Sequence, residues 1–212
     1  MAWSGVLFVL FILMHMYGNM KMFLGAEAFD GYAEWLRDPL PHLIPANWFL
    51  YLFRVLLLAA LLIHLDAAFS LWLRAKKARG TPYVVQNRLA TTYAVRTMRW
   101  GGVIILVFLA FHLLQFTTLS IEIGGDYHAM SPYERMVVAF QPANWWLYLI
   151  YLVAVSALAF HIRHGVWSLF ATFGAAKKRR QHWINVLAIV VALVVIIGFM
   201  AAPTAIMFGF IS

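Results

Sequence analysis

The sequence predicts an all-α integral membrane protein with five transmembrane helices, on the grounds of composition, segment length and charge placement. Of the 212 residues, 64% are hydrophobic and 11% are charged, whereas soluble domains are typically about 45–50% apolar and about 25% charged. Five apolar stretches reach the roughly 20 residues with which a helix crosses a bilayer. A water-soluble domain and a disordered chain are therefore excluded.

The five predicted spans cover most of the chain. They run Trp3–Phe23, Asn47–Leu73, Trp100–Ser120, Ala143–Phe173 and Trp183–Phe210. The first is too long for the apolar core of a signal peptide, and no small-residue cleavage site follows it. The fourth is longer than a membrane needs, so we expect it to be tilted or to extend past the surface.

Charge placement predicts the orientation. Two connecting segments, between spans 2 and 3 and between spans 4 and 5, are basic and contain no acid: Arg74, Lys76, Lys77, Arg79, Arg88, Arg96, Arg99, Lys177, Lys178, Arg179 and Arg180. By the positive-inside rule these segments face the cytoplasm, with the N-terminus cytoplasmic and the C-terminus outside. The net charge of +8 thus indicates topology, and no nucleic-acid partner is expected, because no aromatic residues interleave with the basic runs.

An internal repeat organises the chain. The string Pro-Ala-Asn-Trp at 45–48 recurs at 142–145, an offset of 97 residues that also relates His15 to His112 and His64 to His161. We therefore expect one membrane domain, 1–212, containing two parallel hairpin repeats and one extra helix. Repeat 1 covers about 1–74, repeat 2 about 98–174, and the extra helix 183–211.

The repeat predicts how the histidines pair. Parallel repeats are related by an axis along the membrane normal, which preserves depth. His15 and His112 then share one level, and His64 and His161 share another, about 12 Å away by helical rise.

Four histidines at membrane depth favour haem ligation. A single zinc site fails because the ligands lie at two depths, and a di-iron site fails because spans 1–4 contain no Glu. One haem b between each histidine pair fits without strain, so spans 1–4 are expected to form a bundle enclosing two haems. Two stacked haems imply electron transfer, with a quinone as the lipid-phase partner. Histidines that only bond neighbouring helices, or a transporter with histidine relays, are the alternatives.

Other polar or small residues in the spans are weaker site candidates. Gly18 and Gly165 lie one turn after a histidine and either admit a macrocycle or serve helix packing. Arg54 either binds a haem propionate or quinone or extends to the surface. Arg163 pairs with Asp66 across the repeat axis, or Arg163 and His164 bind propionates or a quinone. Three histidines outside the spans are interpreted as solvated, namely His42, His128 and His182. Tyr127 and His128 are also within reach of a quinone near the outer haem.

The chain resembles the membrane-anchor cytochrome b subunits of succinate:menaquinone oxidoreductases and fumarate reductases, of the single-subunit, five-helix, di-haem type. The motifs that carry the resemblance are Ser4-Gly5, His15, Gly18-Asn19, Phe23, Gly25–Phe29, Tyr32-Ala33, His64, Arg99–Gly102, His112, Phe160-His161, Gly165–Ser168 and Gly174. The match covers nearly the whole chain and is most specific in spans 1 and 4.

The resemblance implies the roles of the site and its partners. His15 and His112 would ligate the distal haem, and His64 and His161 the proximal haem. An iron–sulfur subunit carrying a flavoprotein with FAD would dock on the cytoplasmic face, and menaquinone would exchange electrons with the membrane subunit, which performs no chemistry on succinate. The resemblance leaves open whether the complex forms a higher oligomer.

One departure and one alternative accompany the resemblance. Some fumarate reductases carry a membrane Glu close before the ligand in span 4, whereas this chain has Ala159 and Phe160 before His161. A proton pathway of that kind is therefore not expected. The alternative is the cytochrome b subunit of another quinone-linked enzyme, of the hydrogenase or formate dehydrogenase type, which would share the haems and differ in its partners.

Overall fold

A computed structural model describes residues 1–41, 43–78, 91–175, 177 and 179–212, and the side chains of 91–97 are excluded from description. Some residues used in the sequence analysis fall outside this part, namely His42, Arg79, Arg88, Lys178 and the side chain of Arg96.

The described residues fold mainly into helices. They are α1 (Ala2–Met20), α2 (Ala26–Arg37), α3 (Trp48–Lys77), α4 (Thr91–Phe116), α5 (Pro132–Ala139), α6 (Trp145–Thr172) and α7 (Gln181–Met207), with 3-10 turns at Lys21–Leu24 and Pro142–Asn144. Of these, α1, α3, α4, α6 and α7 are long and apolar enough to cross a membrane. The predicted all-α membrane fold with five spans is confirmed.

Large apolar side chains cover the outside of the helices. Leu52 and Trp100 are each 70% exposed, and Phe160 is 65% exposed. In water such a surface would cause association, whereas against lipid tails it costs nothing. The exposure pattern is that of an integral membrane protein.

Two helices end earlier than predicted. α4 stops at Phe116 rather than Ser120, because the Thr118 hydroxyl donates to the Leu114 carbonyl at 3.3 Å and Leu119 adopts a left-handed φ of 55°. α7 stops at Met207 rather than Phe210, because Gly209 has a φ of 76° and the Phe210 amide donates back to the Ala205 carbonyl at 2.8 Å. This is the usual glycine-terminated helix end.

Two short helices at one end of the bundle were not predicted. α2 follows α1, α5 follows α4, and the Tyr133 amide of α5 donates to the Asp30 carboxylate of α2 at 2.9 Å. Ser131 and Glu134 form a reciprocal capping box at the start of α5, a signal that the sequence does carry. This end of the molecule, with α2, α5 and the C-terminus, is called the α2–α5 end below, and the opposite end is called the basic end.

The tightest packing involves α6. It lies against α7 and α4, and α1 packs on α7 and α3. The most completely buried side chains lie toward the α2–α5 end and include Tyr127, Phe140 and Leu147. In contrast, Ala60 is the one buried residue among those described in α3. The α6–α7 pair is thus the rigid part against which the other spans are placed.

Replacing Gly124 by alanine is expected to destabilise the protein by about 1–3 kcal/mol, because its φ of 86° suits only glycine. A Cβ there would also lie 3.0 Å from the Val138 carbonyl oxygen and 2.9 Å from the Asn144 amide nitrogen. Thermal unfolding in detergent should show a lower Tm. Gly31→Ala is the control, since nothing lies within 4 Å of its Cβ position in α2, and it should leave Tm unchanged or slightly raised. Equal Tm values for the two variants would contradict this account.

Candidate functional site

His15 of α1 and His112 of α4 face each other. Their ring centroids are 5.9 Å apart and their planes make an angle of 77°. Phe11 stacks on His15 at 5.4 Å and Phe108 stacks on His112 at 5.8 Å, each from one turn earlier on the same helix. The same local arrangement therefore occurs in α1 and in α4, and it sets the orientation of both rings.

His64 of α3 and His161 of α6 form a second facing pair. Their ring centroids are 6.2 Å apart and their planes make an angle of 54°. Phe8 of α1 contacts His64 edge-on at 5.7 Å. The structure thus brings together both histidine pairs that the sequence relates by its repeat. The helices that carry each pair, α1 with α4 and α3 with α6, are not among the most closely packed helix pairs.

The two pairs lie at different levels of the bundle. Ser4 of α1 contacts His64, and it precedes His15 by 11 residues, or about 16 Å of helix. Gly102 of α4 lies beside His161, and it precedes His112 by 10 residues, or about 15 Å. Both helices therefore place the His64–His161 level about 15 Å from the His15–His112 level, toward the basic end.

Hydrogen bonds define the tautomer of two of the histidines. The Ser4 hydroxyl donates to the Met1 carbonyl at 3.0 Å, so the same oxygen accepts from Nδ1 of His64 at 3.1 Å. The Tyr151 hydroxyl donates to Oε1 of Gln115 at 2.9 Å, so it accepts from Nδ1 of His112 at 3.1 Å. In both rings the proton is on Nδ1, which leaves the Nε2 lone pair available to a metal.

The Tyr151 hydrogen bond belongs to a longer buried chain. Nε2 of Gln115 donates to the Tyr127 hydroxyl at 3.3 Å, and that hydroxyl donates to the Ile123 carbonyl at 3.2 Å. The Arg135 side chain donates to the Tyr127 carbonyl at 2.6 Å. Burial raises the pKa of Tyr127, so this phenol stays protonated and able to donate. Below, the His112 network means Tyr151, Gln115 and Tyr127.

His161 differs from its partner. Its Nδ1 atom is buried and finds no hydrogen-bond partner among the described residues. The repeat explains the difference, because Ser4, which holds His64, corresponds to Gly101, which has no hydroxyl. The duplicated hairpin therefore keeps the imidazoles and changes the groups around them.

The paired imidazoles fit a metal held by two axial nitrogens. Two metal–nitrogen bonds of about 2 Å, plus the half-width of each ring, separate the centres of two imidazoles on one ion by about 6 Å. The separations of 5.9 and 6.2 Å agree with this value. The described residues contain no group of three or more His, Asp or Glu side chains placed to hold a metal. A metal held at either pair would thus need ligands other than these side chains, and a haem macrocycle is one source of them.

The weaker site candidates differ in exposure and in their neighbours. Tyr32 packs over Gly18, where an added Cβ would lie 2.7 Å from its ring, so Gly18 serves packing of α2 on α1. Gly165 is exposed, with nothing within 4 Å of its Cβ position. Arg54 is exposed with its guanidinium 6.0 Å from the Tyr51 ring, and half-buried His164 lies beside Trp167.

The expected pairing of Asp66 with Arg163 does not occur. Both are exposed, and among the described residues the ion-pair distance is met by His128 and Glu122, at 3.8 Å. The repeat gives the two residues equal depth but not facing directions, and depth alone does not form a salt bridge.

The sequence does not predict which groups bond to the rings. Ser4 enters only through the motif Ser4-Gly5, and Gln115 and Tyr151 are not singled out, although Gln115 is a polar residue inside an apolar helix, three positions after His112. The quinone contact that the sequence suggests for Tyr127 stays a prediction. In the structure Tyr127 is fully buried and bonded within the His112 network, whereas His128 is exposed as expected.

Comparison with known proteins agrees with the resemblance. Residues 80–200, more than half of the chain, match the family described as succinate dehydrogenase/fumarate reductase transmembrane subunit. The succinate dehydrogenase cytochrome b558 subunit of Bacillus subtilis (strain 168) is 24% identical over 177 residues, which cover 83% of this chain and 78% of that protein. No solved structure matches the chain significantly.

Proposed function

Because the chain belongs to the succinate dehydrogenase/fumarate reductase transmembrane subunit family, we propose that it is the di-haem cytochrome b anchor of such a complex. It passes electrons between the iron–sulfur subunit and menaquinone. The observation that carries the proposal is the presence of two facing imidazole pairs at two levels of one membrane bundle.

The four histidines are the residues that would hold the haems. His15 and His112 would hold the distal haem b, and His64 and His161 would hold the proximal haem b. Haem iron held in this way would supply one-electron transfer. The protein orients the rings through Phe11, Phe108 and the Nδ1 hydrogen bonds of His64 and His112.

The level of each pair supports transfer across the membrane. The pair nearer the basic end faces the side where Arg74, Lys76 and Lys77 close α3. We assign that side to the cytoplasm, where the iron–sulfur subunit docks and the flavoprotein with its FAD attaches to it. The distal pair lies toward the α2–α5 end.

The residues around the pairs are assigned to propionates or to quinone. Arg54 lies on α3 toward the α2–α5 end, and Arg163 and His164 lie on α6 toward the basic end. Each is exposed or half-buried, so each can reach an anionic propionate or a quinone carbonyl. Gly165 leaves an open face beside His161, which suits the approach of a flat macrocycle.

The repeat gives the domain organisation of the proposal. Residues of about 1–74 and about 98–174 act as two copies of one hairpin, each contributing one ligand to each haem, within the single domain 1–212. Helix α7, within the extra segment 183–211, packs on α6 and on α1. It thereby braces one ligand-bearing helix from each repeat.

The proposal is tested by purifying the tagged chain with its partners from native membranes. A flavoprotein and an iron–sulfur subunit should co-purify, and succinate should reduce the haems and a menaquinone analogue. Co-purification of a hydrogenase or formate dehydrogenase subunit would favour the other quinone-linked enzymes. A reduced-minus-oxidised spectrum without a haem b alpha band would favour the transporter and refute the proposal.

His112→Ala is expected to remove one haem and leave the other, because the two pairs share no ligand. The haem-to-protein ratio should fall from about two to about one, and part of the split alpha band should disappear. His182→Ala is the control, since His182 is exposed at the start of α7, and it should keep both haems. A ratio of two in the His112→Ala protein would contradict the assigned ligands.

The orientation gives a further prediction. A reporter that is active only outside the cytoplasm should be active when it is fused after Ser212. The same reporter inserted between α6 and α7, beside Arg179 and Arg180, should be inactive, because basic segments stay in the cytoplasm. The reverse pattern would overturn the assignment of the basic end to the cytoplasmic side.

A further inference from the structure

We propose that Tyr151, Gln115 and Tyr127 are positioning residues that set the reduction potential of the distal haem through His112. The inference rests on the proposed function, since it takes His112 as an axial ligand. It concerns this chain's own side chains, and neither the family match nor the relative assigns them a role.

The hydrogen bonds of the network all run in one direction. Nδ1 of His112 donates to Tyr151, Tyr151 donates to Gln115, and the Gln115 amide continues the chain to Tyr127. The last proton is donated to the Ile123 carbonyl at 3.2 Å. A group that donates its own proton becomes a better acceptor for the preceding donor, so the bonds strengthen one another along the chain. The end at Nδ1 of His112 receives that effect.

The side chains of the His112 network are buried, so solvent does not compete for their hydrogen bonds. Gln115 and Tyr127 have no exposed surface, and Tyr151 is 8% exposed. Polar groups at such positions are costly unless each donor and acceptor is used. Here every hydroxyl of the network both donates and accepts, so the ring of His112 is held by a chain with no alternative partner in solvent.

The network is absent from the other repeat. The offset of 97 residues places Gly18 at the position of Gln115 and Arg54 at the position of Tyr151. His15 therefore has the same stacked phenylalanine as His112 but lacks the equivalents of Tyr151 and Gln115. A group of residues that the hairpin fold needed would recur in both copies, so the network serves His112 in particular.

The chemical consequence follows from the direction of the first bond. An oxygen that accepts from Nδ1–H increases electron donation from Nε2 to a bound iron. Stronger donation stabilises ferric over ferrous iron, and the reduction potential falls. The network thus lowers the potential of the distal haem relative to one whose imidazoles lack such an acceptor.

Removing the acceptor is the direct test. In the purified complex, Tyr151→Phe should raise the midpoint potential of the distal haem, by about 59 mV if the preference for ferric iron falls tenfold. Gln115→Met, which keeps the bond between Tyr151 and His112, should produce a smaller shift of the same sign. Potentiometric titration of the alpha band and electron paramagnetic resonance of the ferric haems provide the measurements.

Two control variants separate this role from a general effect on folding. Tyr148→Phe removes a hydroxyl from the same helix, one that bonds to Thr204 at 3.1 Å and not to a histidine, and it should shift neither haem. Ser4→Ala removes the acceptor of His64, and it should raise the potential of the proximal haem alone. The His112→Ala protein identifies which titration belongs to which haem.

Each outcome decides the inference. Unchanged distal potentials in Tyr151→Phe and Gln115→Met, or equal shifts of both haems, would overturn it while leaving the proposed function intact. If the Tyr151→Phe protein retains no distal haem, the test rests on the midpoint potential of the distal haem in Gln115→Met. An unchanged potential in that variant would overturn the inference. A wild-type protein without bis-histidine haem would instead refute the proposed function, before any variant is made.

Discussion

A buried imidazole in a membrane is stabilised when its ring nitrogens find polar partners, and the pairing of the histidines depends on this constraint, although Nδ1 of His161 has no hydrogen-bond partner among the described residues. Unpaired polar groups in hydrocarbon cost several kcal/mol. His64 and His112 meet this constraint on one side with the hydroxyls of Ser4 and Tyr151. The ring centroid of His112 lies 5.9 Å from that of His15, and the ring centroid of His64 lies 6.2 Å from that of His161. Two imidazoles at that distance can share one metal ion, so a metal bound there would be the second partner of each ring.

The helices that carry the histidines differ in how closely they pack against the rest of the protein. α6 carries His161 and Tyr151 and is held against both α7 and α4. α3 carries His64 and buries only Ala60 among its described residues. A haem held between α3 and α6 would therefore contribute to the attachment of α3, because ligand binding stabilises the state that binds it. Cofactor insertion and the final position of α3 are coupled in such an arrangement.

The sequence predicts well how deep a residue lies in the membrane, and it predicts poorly in which direction its side chain points. Span length and the offset of 97 residues place His15 with His112 and His64 with His161, since a parallel repeat conserves depth. The same reasoning gave Asp66 and Arg163 equal depth, yet both face outward and do not pair. The rotation of a helix about its axis depends on how the helices pack. The sequence does not show this rotation, because residues that face lipid and residues that are buried in the protein are both apolar. The His112 network was missed for this reason: a tyrosine in an apolar helix shows whether it faces protein or lipid only once the helices are packed.

Duplication raises the question of how the surroundings of the histidines come to differ. The repeat relates the two imidazoles of one pair to each other, so copied surroundings would make both imidazoles of a pair alike. The surroundings are not copied. Ser4 corresponds to Gly101, Gln115 to Gly18, and Tyr151 to Arg54. The differences at Ser4 and Tyr151 change a hydrogen bond to an imidazole, and the difference at Gln115 changes the next bond of the His112 network. All three leave the imidazoles in place. Since bonding at Nδ1 alters the electron donation of the ring, a difference in potential between the two levels can be set by these few positions, without disturbing the repeat that aligns the histidines.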